Sequence, residues 1–134
     1  MKLSFYLKNS LIKNFSKIRY HKSHEWVKLV SDKKALIGIT DYAKDQLGEL
    51  VFADLNKEVG DKVDVDEEVS QLESVKASAP VFSPISGKIL RKNDNAKNDI
   101  NVSAENNGWM YELEIENTKE YDSLLTKEEY QKLL

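Results

Sequence analysis

The sequence predicts a mostly β domain with a few short helices. Its candidate strands are short and are separated by Gly, Pro and Asn, which are typical of turns. Segments 62–66 and 111–116 alternate aliphatic with charged residues, so that one face would meet a core and the other would meet water. Together these patterns favour a small sandwich or a flattened barrel of short strands.

The first half of the domain is expected to hold three strands and one helix. Thr40 suits the N-cap of a helix that ends before Gly48. The strands are expected over 26–30, 35–39 and 49–54.

The C-terminal part carries two helix-start signals. Asn117 is followed by Glu120, and Thr126 by Glu129, so each potential N-cap has an acid three residues later. This spacing predicts two short C-terminal helices. The polar, unperiodic segment 93–99 is expected to be a loop.

Composition excludes several classes of protein. The 134 residues suffice for one domain with a single core. Cysteine is absent, which excludes disulfides and thiolate metal sites. No apolar run approaches the roughly 20 residues that span a bilayer, so stable membrane insertion is not expected. Residues 25–134 hold 14 basic and 23 acidic side chains, a balance of −9 that would repel nucleic acid.

The first 24 residues have the opposite charge, with six basic side chains and no acid. Apolar residues recur there at three- and four-residue steps, which places them on one helical face. A basic, acid-free amphipathic segment is typical of a mitochondrial presequence, predicted here as residues 1–20 with the mature domain over 21–134. The location would then be the mitochondrial matrix. The alternative is a native N-terminal helix that binds a membrane surface or packs on the domain.

A single lysine lies between two short apolar runs in segment 72–77. Segment 68–73 alternates like a half-buried strand, and 80–87 is a return broken by prolines. The four residues 74–77 suit a type I turn, which would place Lys76 exposed at the tip of a hairpin.

Catalysis by the chain itself is not expected. A nucleophilic lysine needs desolvation or a cationic neighbour, whereas acids flank Lys76 in the sequence. His21 and His24 have no partner at metal-ligand spacing, so a structural or solvated role is expected for each. The chain also lacks a Gly-rich phosphate loop. We therefore expect a protein that is not an enzyme and has no metal site.

The Glu-Ser-Val-Lys-Ala motif over 73–77 resembles the attachment hairpin of the glycine cleavage system H protein family, whose members are lipoyl carriers. Further blocks match in the expected order, and together they cover nearly everything from Tyr20 to Leu134: 23–27, 37–43, 47–52, 83–87 and 108–110. The resemblance implies a lipoyl/biotinyl-type hybrid-motif fold. That fold is a flattened β-sandwich, the barrel-sandwich hybrid, with C-terminal helices.

The resemblance also implies the chemistry. Lys76 would carry lipoic acid as an amide, attached by a lipoate ligase or lipoyltransferase that reads Glu73. The arm would shuttle the aminomethyl group of glycine between glycine decarboxylase (the P protein), aminomethyltransferase (the T protein) and dihydrolipoamide dehydrogenase (the L protein). Ser23 and Glu25 match the residues that dock the loaded arm.

The chain departs from the family at one docking position. Ala79 and Pro80 stand where the family usually has Ser-Asp, and Pro80 offers neither a negative charge nor a backbone N–H. Ala104 also stands where a family proline is expected. An alternative function is therefore a lipoate acceptor that relays lipoyl groups to other carriers, with little role in glycine cleavage.

Three other readings of the hairpin stay open. Biotin carriers usually place Met on both sides of the lysine, where this chain has Val75 and Ala77. Acyltransferase-linked lipoyl domains typically carry Asp before the lysine and continue into a linker and a catalytic domain. The third reading is a plain interaction module in which Lys76 is unmodified.

Overall fold

The computed structural model describes residues 18–134, which form two antiparallel β-sheets and four short helices. The strands are β1 (Ile18–Tyr20), β2 (Glu25–Leu29), β3 (Lys34–Ile39), β4 (Leu50–Leu55), β5 (Lys62–Val63), β6 (Glu68–Ser74), β7 (Ser78–Phe82), β8 (Gly87–Lys92) and β9 (Tyr111–Glu114). The helices are α1 (Asp41–Leu47), α2 (Ala96–Val102), α3 (Thr118–Asp122) and α4 (Lys127–Gln131). The predicted mostly β class with C-terminal helices is confirmed.

One sheet has six strands in the order β1-β2-β3-β9-β8-β5, and the other has three in the order β4-β6-β7. Buried side chains of both sheets belong to one apolar cluster, which includes Ile37 and Leu113 from the larger sheet and Val69 and Leu72 from the smaller. The two sheets therefore share a single core, as in a sandwich. Within residues 18–134, no helix is long and apolar enough to cross a membrane.

The predicted helix starts are confirmed by their caps. Thr40 Oγ1 accepts the Ala43 N–H at 3.2 Å, and Gly48 ends α1 at a φ of 84°, which favours glycine. Thr126 and Glu129 form a reciprocal capping box at α4. Asn117 caps α3 by accepting the Lys119 N–H at 2.7 Å, so all three helices begin where the capping signals placed them. These helix starts are encoded by residues close in sequence.

Residues 18–20 are part of the larger sheet. Strand β1 pairs with β2, with Tyr20 opposite Trp26, and Tyr20 stacks on Tyr130 of α4 with ring centroids 4.7 Å apart. Arg19 Nη1 donates to the Leu124 carbonyl at 3.1 Å. Residues 18–20 are thus built into the sheet, while 1–17, which include most of the predicted presequence, lie outside the described residues.

The predicted loop over 93–99 is wrong, because α2 begins at Ala96. Ala96 and Ile100 are buried in the core, and Asn101 pairs through its side-chain amide with Leu50 on β4. Its Oδ1 accepts the Leu50 N–H at 2.9 Å, and its Nδ2 donates to the Leu50 carbonyl at 3.0 Å. The helix is stabilised by its contacts with the core and with the edge strand β4. The residue pattern of segment 93–99 does not reveal these contacts.

Two strand predictions also change. The predicted strand over 62–66 ends at Val63, because the chain turns at Asp66, whose φ is 69°. The return over 80–87 instead begins inside β7, which spans Ser78–Phe82 and includes Pro80. Strand β7 is an edge strand, which tolerates the missing N–H of proline.

Candidate functional site

The lysine turn is held together by Ser74. The Ser74 N–H donates to the Ala77 carbonyl at 2.8 Å. The Ser74 hydroxyl accepts the N–H groups of Lys76 and Ala77 at 3.2 and 3.1 Å. A serine side chain in this position closes a turn with its own oxygen, so the local sequence alone fixes the shape of the tip.

Lys76 is exposed at this tip, as the sequence predicted. Its aliphatic stem packs close to Gly48 in the turn between α1 and β4. A Cβ atom at position 48 would lie 3.5 Å from Lys76 Cε. Glu73 is also exposed, and it precedes the turn at the end of β6 opposite Ser78. The structure therefore brings Lys76 and Glu73 together on one accessible surface.

An apolar surface that sequence reasoning missed borders this tip. Val75 in the turn is 78% exposed, and Val51 and Phe52 on the neighbouring strand β4 are 50% and 54% exposed. Phe52 lies opposite Glu73 in the β4–β6 pairing. The sequence signal was the run of three apolar residues over 50–52, since a half-buried strand can bury only alternate ones. We call Val51, Phe52 and Val75 the tip apolar surface.

A cleft of about 350 Å³ adjoins the same hairpin. Its lining includes Ala77 and Pro80 of the hairpin, apolar side chains such as Ile39 and Leu72, and Glu25. We call it the hairpin cleft. Glu25 is the single acid among its lining residues, and His24 is the single imidazole.

Glu25 is only 3% exposed. Ser23 Oγ donates to Glu25 Oε1 at 2.5 Å, and the Phe82 N–H donates to Oε2 at 3.3 Å. Burial disfavours the charged form and raises the pKa of Glu25 to about 7, although both hydrogen bonds oppose the shift. The nearby Asp66 carboxylate adds a smaller rise. Ser23 and Glu25 are thus hydrogen-bonded to each other, and burial holds the pKa of the Glu25 carboxyl near 7.

His21 joins this cluster, although the sequence suggested only a structural or solvated role. Its Nδ1 lies 2.7 Å from Ser23 Oγ, and its Nε2 lies 3.4 Å from Asp66 Oδ1. No sequence pattern predicted this contact, because Asp66 comes from the distant β5–β6 turn. His24 instead contacts α4, with its Nδ1 2.7 Å from the Tyr130 hydroxyl.

An exposed lysine on a tight hairpin, in a double-sheet domain with an adjoining cleft, defines a carrier-type domain. The family model described as "Glycine cleavage H-protein" matches residues 18–134. The chain therefore belongs to the glycine cleavage H-protein family, which is a family of carrier proteins.

Individual relatives agree with this assignment. The glycine cleavage system H protein of Psychrobacter sp. (strain PRwf-1) is 41% identical over 119 residues, covering 87% of this chain and 94% of the relative. The mitochondrial H protein of Drosophila melanogaster is 40% identical over 119 residues, covering 87% and 72%. A crystal structure of a glycine cleavage system H protein from Mycobacterium marinum has a TM-score of 0.76 and 32% identity, covering 89% of this chain and 98% of that one.

Proposed function

We propose that the chain is the lipoyl carrier of glycine cleavage and that Lys76 is its attachment site. The proposal rests on the exposed Lys76 at a turn closed by Ser74. The hairpin cleft lies beside this turn and offers a docking place for the arm. The fold and the family membership agree with this role.

The residues present fit a lipoyl group. An amide to lysine needs an accessible amine, and Lys76 is exposed. The hairpin cleft offers apolar side chains to an aliphatic arm and one carboxyl to a cationic end. A lipoyl group bound there would supply a dithiolane for redox-coupled transfer of the aminomethyl group of glycine. The protein positions the group. Ser74 shapes the tip that carries Lys76, and Ser23 and Glu25 form the polar end of the cleft.

The surface around Lys76 suits recognition by other proteins. Glu73 offers a negative charge. The tip apolar surface is exposed to water, and its burial by a partner would be favourable. We propose that a lipoate ligase or lipoyltransferase reads Glu73 and that the P, T and L proteins of glycine cleavage meet the same face. Turnover then belongs to these partners, since the exposed Lys76 lacks the desolvation that would activate it as a nucleophile.

Recognition by the lipoylating enzyme can be tested at Glu73. Glu73→Gln removes the charge at an exposed position and should slow lipoylation while leaving the thermal unfolding midpoint unchanged. Glu68→Gln, an exposed acid at the other end of β6, is the matched control. Equal lipoylation rates in wild type and Glu73→Gln would remove Glu73 from the recognition surface.

For the location we propose the mitochondrial matrix, with the basic N-terminal segment as the presequence. Because residues 18–20 belong to β1, we place the end of that segment before Ile18. The mitochondrial relative from Drosophila melanogaster supports the location, and bacterial relatives are equally similar. A passenger fused to residues 1–17 should enter mitochondria, and changing Lys8, Lys13 and Lys17 to Glu should block entry. A passenger that stays in the cytosol would contradict the proposal.

The relay alternative is less favoured. The family model and the relatives described above all carry the glycine cleavage name, and none is named as a lipoate relay. Pro80, which motivated the alternative, removes one possible partner of a cationic group but leaves Glu25 in place.

Intact-mass spectrometry tests the proposal and separates the carrier classes. After incubation with lipoate, ATP and a lipoate ligase, the chain should gain the mass of one lipoyl group. Incubation with biotin and a biotin ligase should leave its mass unchanged. A chain that stays unmodified in the first incubation, or gains biotin in the second, would contradict the proposed function.

A further inference from the structure

A row of polar atoms connects solvent with the hairpin cleft. Asp66 Oδ1 lies 3.4 Å from His21 Nε2, His21 Nδ1 lies 2.7 Å from Ser23 Oγ, and Ser23 Oγ lies 2.5 Å from Glu25 Oε1. The Asp66 side chain is 69% exposed, whereas that of Glu25 is 4% exposed. The row therefore spans the boundary between water and the buried carboxyl.

The hydrogen bonds determine which ring nitrogen of His21 carries a proton. The Ser23 backbone N–H donates to His21 Nδ1 at 3.1 Å, and a nitrogen that accepts a hydrogen bond has no proton of its own. The neutral imidazole then carries its proton on Nε2, which faces the Asp66 carboxylate. A carboxylate opposite the second nitrogen stabilises this tautomer.

The same contacts define two places that one extra proton can occupy, His21 Nδ1 and Glu25 Oε1. Ser23 Oγ has one proton but lies within hydrogen-bond distance of two acceptors, His21 Nδ1 and Glu25 Oε1. Both contacts are satisfied only if one of those two atoms is itself protonated. In one state the proton is on Glu25, which donates to Ser23, while Ser23 donates to His21. In the other state the proton is on His21 Nδ1, which then no longer accepts the Ser23 N–H, and Ser23 Oγ donates to the Glu25 carboxylate.

We propose that His21, oriented by Asp66, is a positioning residue that shares one proton with Glu25 through Ser23 and thereby sets the charge of the hairpin cleft. The two states interconvert when the Glu25 proton moves to Ser23 Oγ and the Ser23 proton moves to His21 Nδ1. Glu25 becomes a carboxylate and His21 becomes an imidazolium facing Asp66, so the number of protons in the cluster is unchanged.

This exchange would matter when a cation enters the cleft. With the cleft empty, burial favours neutral Glu25, and the Asp66 charge acts in the same direction. The titratable groups around Glu25 are His21 from the β1–β2 turn, Asp66 from the β5–β6 turn, Tyr130 from α4, and His24 and Tyr42 in the lining of the same cleft. A bound ammonium favours the carboxylate, and His21 can take the proton without release to solvent. This consequence rests on the proposed function, in which the docked group is a cationic aminomethyl arm.

Nuclear magnetic resonance of the unlipoylated full chain tests the sharing itself. Nitrogen-15 shifts of His21 should report the tautomer protonated on Nε2. Carbon-13 titration of Glu25 and nitrogen-15 titration of His21 should each show the same two steps, because a shared proton belongs to the pair. His24, which contacts Tyr130 instead of Ser23, is the internal control and should titrate in one step.

Two variants break the row at different places. His21→Gln removes the proton acceptor, and Ser23→Ala removes the connecting hydroxyl while leaving His21 and Asp66 in place. In each variant, Glu25 should titrate in a single step. A His21 tautomer protonated on Nδ1, or a Glu25 profile identical in wild type and both variants, would overturn the proposal. Because no lipoyl group or partner is used, this result is independent of whether Lys76 is lipoylated.

Discussion

The hairpin tip and the floor of the hairpin cleft are built in opposite ways. At the tip, Lys76 is exposed and the turn is held by Ser74, two residues away. At the floor, Glu25 is buried and is held by Ser23 nearby and by Phe82, which is 57 residues further along the chain. One region depends on local hydrogen bonds, and the other depends on the packing of the two sheets.

This difference separates attachment from docking. Attachment needs a lysine that an enzyme can reach, so changes at the tip should alter modification and leave the pH dependence of stability unchanged. Docking needs a polar group that is buried among apolar side chains. Because Glu25 is buried, changes at this residue should alter the stability of the fold and the dependence of stability on pH. The two regions should therefore respond to substitution separately.

Lys76→Arg should abolish lipoylation and leave the fold intact. Arginine keeps the positive charge and the length of the side chain, but its guanidinium does not form the amide. Intact mass measures the modification, and the thermal unfolding midpoint measures the fold. Lys88→Arg, at another exposed lysine on β8, is the matched control and should be modified fully. Lipoyl mass on the Lys76→Arg chain would show that another residue is the attachment site.

Glu25→Gln should flatten the dependence of stability on pH. The Glu25 carboxyl has a pKa of about 7 in the folded chain, above its ordinary value of 4.5. Between these values the folded state keeps a proton that the unfolded state has lost, so wild-type stability falls as pH rises. The loss across this window is at most about 3 kcal/mol, and the variant lacks it.

Urea unfolding of both chains from pH 4.5 to pH 8 measures the difference. Curves of the free energy of unfolding that stay parallel over this range would show that Glu25 is not held neutral by burial.

Pro80→Asp should strengthen docking without changing attachment. It restores a carboxylate to the lining of the hairpin cleft, where Glu25 is the single acid of the wild-type lining. One charge-assisted contact contributes about 1.5–3 kcal/mol, which corresponds to roughly 10- to 100-fold longer retention of the aminomethyl group. The rate of its hydrolysis from the loaded chain is the measurement. Pro80→Asn changes the backbone in the same way without adding charge, and an equal effect in that variant would refute the electrostatic explanation.

Ser74→Ala should have the smallest effect, confined to the tip. The serine hydroxyl accepts two backbone N–H groups of the turn, and its loss at an exposed position should cost about 1 kcal/mol of unfolding free energy. Lipoylation should become slower because the lysine is held less firmly. Ser78→Ala, just beyond the turn, is the control. A pH dependence of stability altered by Ser74→Ala would contradict the separation of the two regions.

The sequence predicted the features that depend on neighbours. The caps at Thr40, Asn117 and Thr126 and the exposed position of Lys76 all follow from residues within a few positions. In these places the hydrogen-bond partner lies in the same short segment, so the pattern of residue types is sufficient.

Features that depend on distant partners were not predicted. The helix α2 was expected to be a loop because its stabilising contacts, burial of Ile100 and the pairing of Asn101 with Leu50, involve other elements. The contact of His21 with Asp66 has the same character, since two turns meet only after the sheets have packed. Ser23 and Glu25 were placed by family resemblance, and their geometry required the structure.

Reconstituted glycine decarboxylation tests the central claim most directly. The lipoylated chain, mixed with glycine decarboxylase and carboxyl-labelled glycine, should release labelled carbon dioxide at a rate that depends on its concentration. The Lys76→Arg chain should release none, and Lys88→Arg should match wild type. Full lipoylation of the wild-type chain without release of carbon dioxide would contradict the glycine cleavage role and would favour the relay function instead.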